Sequence, residues 1–248
     1  MSPDGTSRQM MVVNGQYPGP AIYADWGDTI QVTVQNNLQD NGTSMHWHGI
    51  RQLNSSQMDG TPGISECPIP PGGSRTYTFQ ATQYGTSWYH SRKLTIASKD
   101  AAHSVLDYSV QYGGGVLGQI IINGPSTANW DIDVGALPLT DWYHEPIFTA
   151  ETQEQHATGP LTADNALVNG TMVAASGTGG AYAVTTLTPG KKHLLRIINT
   201  GINQYFRVSI DNHSMQVIAA DFTPIVPYNT SSITLAIGTF GEESLNLF

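Results

Sequence analysis

Thr29-Ile30-Gln31-Val32-Thr33-Val34-Gln35 alternates polar and apolar side chains without a break. Successive side chains of an extended chain point to opposite faces, so this stretch reads as a strand with Ile30, Val32 and Val34 turned to a core. Arg75-Thr76-Tyr77-Thr78-Phe79 and the later segments 193–198, 206–210 and 232–237 read the same way. Gly, Pro and Asn turns separate them at the spacing of sandwiches and barrels. Composition agrees: among 248 residues, 26 Gly, 14 Pro and only 12% charged residues leave few helix-forming runs, so the chain is expected to be all-β. The length holds one large domain or two of ordinary size. A weak internal echo favours two, since Pro70-Pro71-Gly72 leads into one strand and Thr188-Pro189-Gly190 into another. The boundary is placed after the Asn123-Gly124-Pro125 turn, giving domains 1–125 and 126–248.

The formal net charge of -9 argues against nucleic acid or an anionic membrane as partner. No apolar run is long enough to span a bilayer.

Two motifs carry chemistry. Ser44-Met45-His46-Trp47-His48-Gly49-Ile50 is followed by Gly85-Thr86-Ser87-Trp88-Tyr89-His90-Ser91. On a strand, His46 and His48 share a face while Trp47 takes the other; their spacing of roughly 7 Å suits two neighbouring ions better than chelation of one. Neutral imidazole serves copper, zinc and iron alike, so the pattern points to a transition metal before it names one. A pair of satisfied or exposed strand histidines is the plain alternative for a bare His-X-His.

The residues around these motifs resemble the multicopper oxidases, and the fungal, ascomycete-type laccases most of all. The likeness runs through Asn14-Gly15-Gln16-Tyr17-Pro18-Gly19-Pro20, Asp59-Gly60, Glu66-Cys67-Pro68-Ile69-Pro70-Pro71-Gly72, Gly113-Gly114-Gly115-Val116-Leu117-Gly118, Asp164-Asn165-Ala166-Leu167-Val168-Asn169-Gly170-Thr171 and Asp221-Phe222-Thr223-Pro224-Ile225-Val226-Pro227-Tyr228. The resemblance implies two cupredoxin-like Greek-key β-sandwich domains, the second truncated, corresponding to the first two domains of a laccase. It implies secretion, phenolic substrates, dioxygen as electron acceptor, and roles such as lignin degradation. By position, His46 and His48 would serve the type 2 and type 3 coppers and His90 a type 3 copper, giving a partial trinuclear cluster. The type 1 site needs a cysteine between histidines, and no such string exists here. The chain as given is therefore expected to be inactive, with a non-catalytic copper-binding module or a mis-spliced product as alternatives. A zinc-dependent hydrolase built on His-X-His is less favoured, because Gly49-Ile50-Arg51 adds no ligand.

Other residues gain roles from the same likeness. Asp59 matches a carboxylate that assists proton delivery near the trinuclear cluster, although an Asp-Gly turn explains it equally well. Asp164 is the nearest acid to the region that holds a phenol. His144, His156, His193 and His213 lack ligand spacing and are expected at the surface or behind ligands. Cys67 matches a cysteine that pairs near the far end of laccases; here it is the single cysteine, either a buried structural thiol or an unpaired reactive one. Sequons at Asn41, Asn54, Asn169, Asn212 and Asn229 suit a secretory route, though Met1-Ser2-Pro3-Asp4-Gly5 does not begin a signal segment.

Where the second motif of a laccase carries another histidine, Arg92 stands. A guanidinium stays protonated and offers no lone pair to a metal. Removing 92–107 and restoring one histidine yields an ordinary laccase reading, and Arg-Lys-Leu and Leu-Asp can be encoded as a splice donor and acceptor. The segment is thus expected to be retained intron sequence, as is 239–248, where the family would continue a strand. The alternative is a genuine loop from which His103 returns as a ligand, at the entropic cost of ordering it.

Overall fold

The computed structural model describes residues 1–91, 110–157, 159 and 161–246. The expectations for Arg92, His103 and the 92–107 insertion lie outside these residues. In the first half β1 (Gly19–Asp25), β6 (Leu117–Asn123), β5 (Gly85–His90) and β3 (His46–Trp47) form one sheet, in that order; β2 (Thr29–Gln35) and β4 (Ser74–Gln80) form another. The anticipated strand at 29–35 is β2 to the residue, and 75–79 lies within β4. Ile30 is buried while Thr29, Gln31, Thr33 and Gln35 are exposed, as the alternation requires. Thr33 and Thr76 hydroxyls meet across the outer face of this pair at 2.8 Å.

The second half is a six-stranded sheet with a two-stranded one. The larger runs β12 (Thr223–Thr230), β11 (Met215–Ala220), β14 (Phe240–Asn246), β9 (Lys192–Asn199), β7 (Ile132–Trp142), β8 (Asn165–Val168); the smaller pairs β10 (Phe206–Val208) with β13 (Ile233–Leu235). The first strand of each half makes a parallel pair, β1 with β6 and β7 with β9, while every other pairing of these strands is antiparallel. The chain is all-β and cupredoxin-like, with two short α-helices among the described residues, α1 (Val110–Gly113) and α2 (Ile147–His156). The sequence reading missed α2, whose Ile147 and Ala150 pack beside Met11 and Ile202.

One expectation is corrected here. The stretch beginning at Gly238 was not expected to continue a strand, yet β14 sits between β9 and β11 in the larger sheet. Both of its edges find a backbone partner, and ladder pairing from two sides outweighs an unpromising local sequence.

The first core gathers Trp47, Tyr77, Phe79, Trp88, Tyr89, Leu117, Ile120 and Ile122 and extends to Ile198 and Phe222 of the second half. Leu139, Leu195, Ile197, Met215, Val217, Ile233 and Leu235 form the second. Burying each such aliphatic or aromatic side chain contributes about 1.5–3 kcal/mol. Polar ties also cross between the halves. Buried Arg8 donates to the Tyr143 carbonyl at 2.6 Å and the Gly113 carbonyl at 2.7 Å while lying over the Trp142 ring, and Arg196 donates to Thr86 Oγ1 at 2.8 Å.

Candidate metal centre

The two histidine motifs meet because β3 and β5 pair antiparallel with His46 opposite His90 and Trp47 opposite Tyr89. Residues directly opposite in a ladder project to the same face. Trp47 therefore turns into the core against Tyr77 and Phe79, while His46 and His90 come together on the other side, ring centroids 5.3 Å apart. His48 is just past the end of β3, its N–H donating to the Trp88 carbonyl at 3.1 Å before the chain turns at Gly49. Whatever the backbone spacing along the strand, the side chains converge: the ligand atoms of His46, His48 and His90 all lie within 4.8 Å of one another.

Hydrogen bonds fix which nitrogens face inward. His46 Nδ1 donates to the Asp59 carbonyl at 2.8 Å, and His90 Nδ1 to the Ser91 carbonyl at 3.1 Å. A carbonyl only accepts, so both rings carry their proton on Nδ1 and keep the Nε2 lone pair for the cluster. His48 turns the other way round, with its Nδ1 3.1 Å from His90 Nε2. Its far edge faces the second half, where Gly238 has φ +74° and a Cβ would stand 3.2 Å from His48 Nε2. The indole of Trp88 is a floor under two of the rings, stacked on His90 at 4.2 Å and His48 at 5.1 Å, and Tyr112 meets Trp88 and His90 edge-on. Three imidazoles so held fit a first-row transition ion, copper included.

Asp59 is beside the cluster, as its place in the sequence suggested. Its Oδ1 is 3.4 Å from His46 Nδ1, and its Oδ2 accepts the buried Thr61 hydroxyl at 2.6 Å. The Asp-Gly turn is present too: Gly60 has φ +75°, and a Cβ there would run into the Met45 carbonyl. Behind this turn the carboxyl of Glu66 accepts from Tyr77 at 2.7 Å and pairs with Arg75 at 2.9 Å. Burial raises the Glu66 pKa above the usual carboxylate range despite the Tyr77 hydrogen bond and the Arg75 charge. Burial, helped by the hydrogen bond to Glu66, also raises that of Tyr77.

Asp164 belongs to a different constellation. It is exposed, accepts the His144 N–H at 2.8 Å, and has its Oδ1 3.9 Å from His144 Nδ1. His144 Nε2 donates to buried Asp4 at 2.7 Å, and Asn165 and the Thr6 N–H donate to the same carboxylate. Burial pushes the Asp4 pKa up, but these hydrogen bonds and the His144 charge outweigh it and hold it below the ordinary value. Two expectations need correction. His193 is fully buried at the start of β9, where its Nε2 accepts the Thr188 N–H at 3.0 Å. Cys67 is exposed rather than a buried structural thiol, its neighbour Glu66 being the residue that is buried.

Sequence reasoning missed Trp88, Tyr112, the Ser91 carbonyl and Gly238. Trp88 was detectable, standing two residues from His90 on the same strand face; Gly238 was not, since only tertiary packing sets it against His48.

Models of multicopper oxidase domains match residues 1–127 and 133–242. Laccase-3 of Botryotinia fuckeliana is 52% identical over 223 residues, 89% of this chain and 46% of that protein. A laccase of Cryphonectria parasitica is 50% identical over 241 residues, 96% of this chain and 38% of that protein. The chain thus spans less than half the length of these curated relatives. Among solved structures, the laccase from Botrytis aclada superposes with a TM-score of 0.88 at 45% identity, covering 99% of this chain and 44% of that one. Fet3p, a multicopper oxidase that functions in iron import, gives 0.80 at 27% identity, covering 94% of this chain and 41% of that one.

Proposed function

This chain belongs to the multicopper oxidase family, and on that premise we propose that it is a laccase-type chain in which His46, His48 and His90 hold copper. The observation that carries this reading is the placing of three imidazole ligand atoms within 4.8 Å by the pairing of β3 with β5. Copper supplies one-electron redox chemistry, by which phenols are oxidised and dioxygen is reduced to water.

The chain's own residues prepare that chemistry. The Asp59 and Ser91 carbonyls orient the rings of His46 and His90, and Trp88 supports His90 and His48 from below. The Asp59 carboxyl group, steadied at Oδ2 by the Thr61 hydroxyl, has Oδ1 beside His46, where it would relay a proton towards reduced oxygen. Exposed Asp164 accepts the hydroxyl proton of a phenol in a hydrogen bond. These 248 residues alone do not turn over: the single cysteine is exposed Cys67, flanked by Glu66 and Pro68, so they contain no sulfur-bearing type 1 site, and the three histidines form only part of a trinuclear set. By itself the chain acts as a non-catalytic copper-binding module, which the preformed cluster favours over a non-functional mis-spliced product.

The two domains divide after the Asn123-Gly124-Pro125 turn, and secretion with N-glycans fits the exposed sequons at Asn54, Asn169, Asn212 and Asn229, with Asn41 half-buried. No helix among the described residues is long and apolar enough to cross a membrane. The test is to load the purified chain with copper, remove free metal, and measure retained copper and phenol oxidation. Retained copper without oxidation is expected. Oxidation would overturn the inactivity, and failure to retain copper would overturn the ligand assignment.

A further inference from the structure

A cavity of about 530 Å3 lies in the first half, on the face of β3 and β5 opposite the three histidines. Its lining runs along β1 at 20–22, β2 at 32–35 and the segment 10–15, and includes Met45 and Trp47. The cavity leaves a mark on the core. Val13, Ile22, Val32 and Val34 pack against the first core yet stay half-buried, whereas Ile30, on the same face of β2, is buried. The four half-buried side chains all line the cavity, and the open space beside them is what keeps them from full burial.

The backbone of β2 decides what kind of molecule fits that space. Among the described residues β2 pairs with β4 alone, so one of its edges is open. The Ala81 N–H donates to the Asp28 carbonyl at 2.8 Å and the Asn36 N–H to the Gly73 carbonyl at 2.9 Å. Hydrogen-bonded residues alternate along an antiparallel pair, so the even-numbered residues between these two serve β4. Thr29, Gln31, Thr33 and Gln35 therefore direct their N–H and C=O groups to the open edge. Such a row alternates partial positive and negative charge at strand spacing, which another extended backbone complements and a compact apolar molecule does not. On the β1 side Pro20 has no N–H, and its carbonyl already accepts the Tyr89 hydroxyl at 2.8 Å. The β2 edge is also unguarded. β12, at the end of the larger sheet, contains Pro224 and Pro227, whereas Thr29–Gln35 contains neither proline nor charge.

We infer that the open edge of β2 and the cavity beside it form a docking site for an extended, uncharged peptide segment of another protein, with apolar side chains at alternate positions. Its backbone adds a third strand to the β2–β4 pair. Its apolar side chains fill the cavity against Val32, Val34 and Trp47. The seven residues of β2 offer a ladder about 23 Å long.

The experiment mixes the full chain with the fluorescein-labelled peptide Lys-Thr-Val-Thr-Val-Thr-Val-Thr-Lys and reads fluorescence anisotropy. Two further peptides carry N-methyl groups, one on its threonine amides and one on its valine amides, with charge unchanged. Alternate amides point to opposite edges of a strand, so one methylated form should lose affinity about tenfold or more while the other keeps it. Thr33→Pro removes an outward N–H and sets its ring on the open edge while leaving the backbone bonds to β4 in place. It should weaken binding of the unmodified peptide by a similar factor. Circular dichroism checks that this variant is folded, and the methylated pair tests the same point on the parent chain. Equal binding of the two methylated forms would overturn strand pairing and leave a plain apolar cavity. Absence of binding by the unmodified peptide at about 1 mM would overturn the site altogether, and dimers of the chain that exclude the peptide would give the edge to a second copy instead.

Discussion

The His46–His48–His90 cluster and the Asp4–His144–Asp164 cluster use histidine in opposite ways. In the first, two rings are tied through Nδ1 to backbone carbonyls, and their remaining lone pairs face other imidazoles. In the second, one ring has a carboxylate against each nitrogen, at 2.7 Å and 3.9 Å. A tie at one nitrogen leaves the other available to a metal, whereas carboxylates against both nitrogens leave neither open. The second cluster is a fastener: it joins the N-terminal segment at Asp4 to His144 and to Asn165 of β8. Ligand chemistry is thus decided by what stands behind each imidazole, more than by how many histidines are near.

The strongest way to break this contrast is to remove the floor of the first cluster. Trp88→Ala deletes a buried indole and should cost about 3–5 kcal/mol of stability, read by urea unfolding, and should weaken copper binding as well. A loss below about 1 kcal/mol would show that the rings are held by their backbone ties alone. In the second cluster Asp4→Ala strips an acceptor from His144, Asn165 and Thr6, for a loss of about 1–3 kcal/mol with copper affinity unchanged. A fall in copper affinity would mean that the two clusters are coupled.

The smallest effect is a pair of opposed pH dependences. The Asp4 pKa is lowered in the folded chain, so its stabilisation is present above the ordinary aspartate pKa and is lost as pH falls through the lowered value. The Glu66 pKa is raised, so its contribution is present below the ordinary glutamate pKa and is lost as pH rises through the raised value. The stability difference between the parent chain and Asp4→Asn should shrink on acidification. That between the parent and Glu66→Gln should shrink as pH increases. Slopes of the same sign in both series would contradict the assignment.

Much of the fold was legible because period-two patterning is a local signal. It located β2 and β4 directly, and it put Trp47 on the face opposite His46. It failed at β14, whose place comes from two flanking strands, and at α2, whose apolar side chains pack against Met11 and Ile202 from distant parts of the chain. The candidate ligands were legible as well, since histidine chemistry and alternation are written in the chain. Their supports were not, because a backbone carbonyl carries no residue identity: those of Asp59 and Ser91 could not be chosen from the sequence.

By itself the sequence determined the all-β class, the family likeness and three imidazoles as candidate ligands, because these follow from side-chain type and spacing. Only the tertiary structure decided that His46 stands opposite His90, that His48 leaves the strand to close the group, and that Asp164 is bound to a separate cluster. Those outcomes depend on strand register and on contacts between residues distant in the chain, which free energy settles for the whole fold at once.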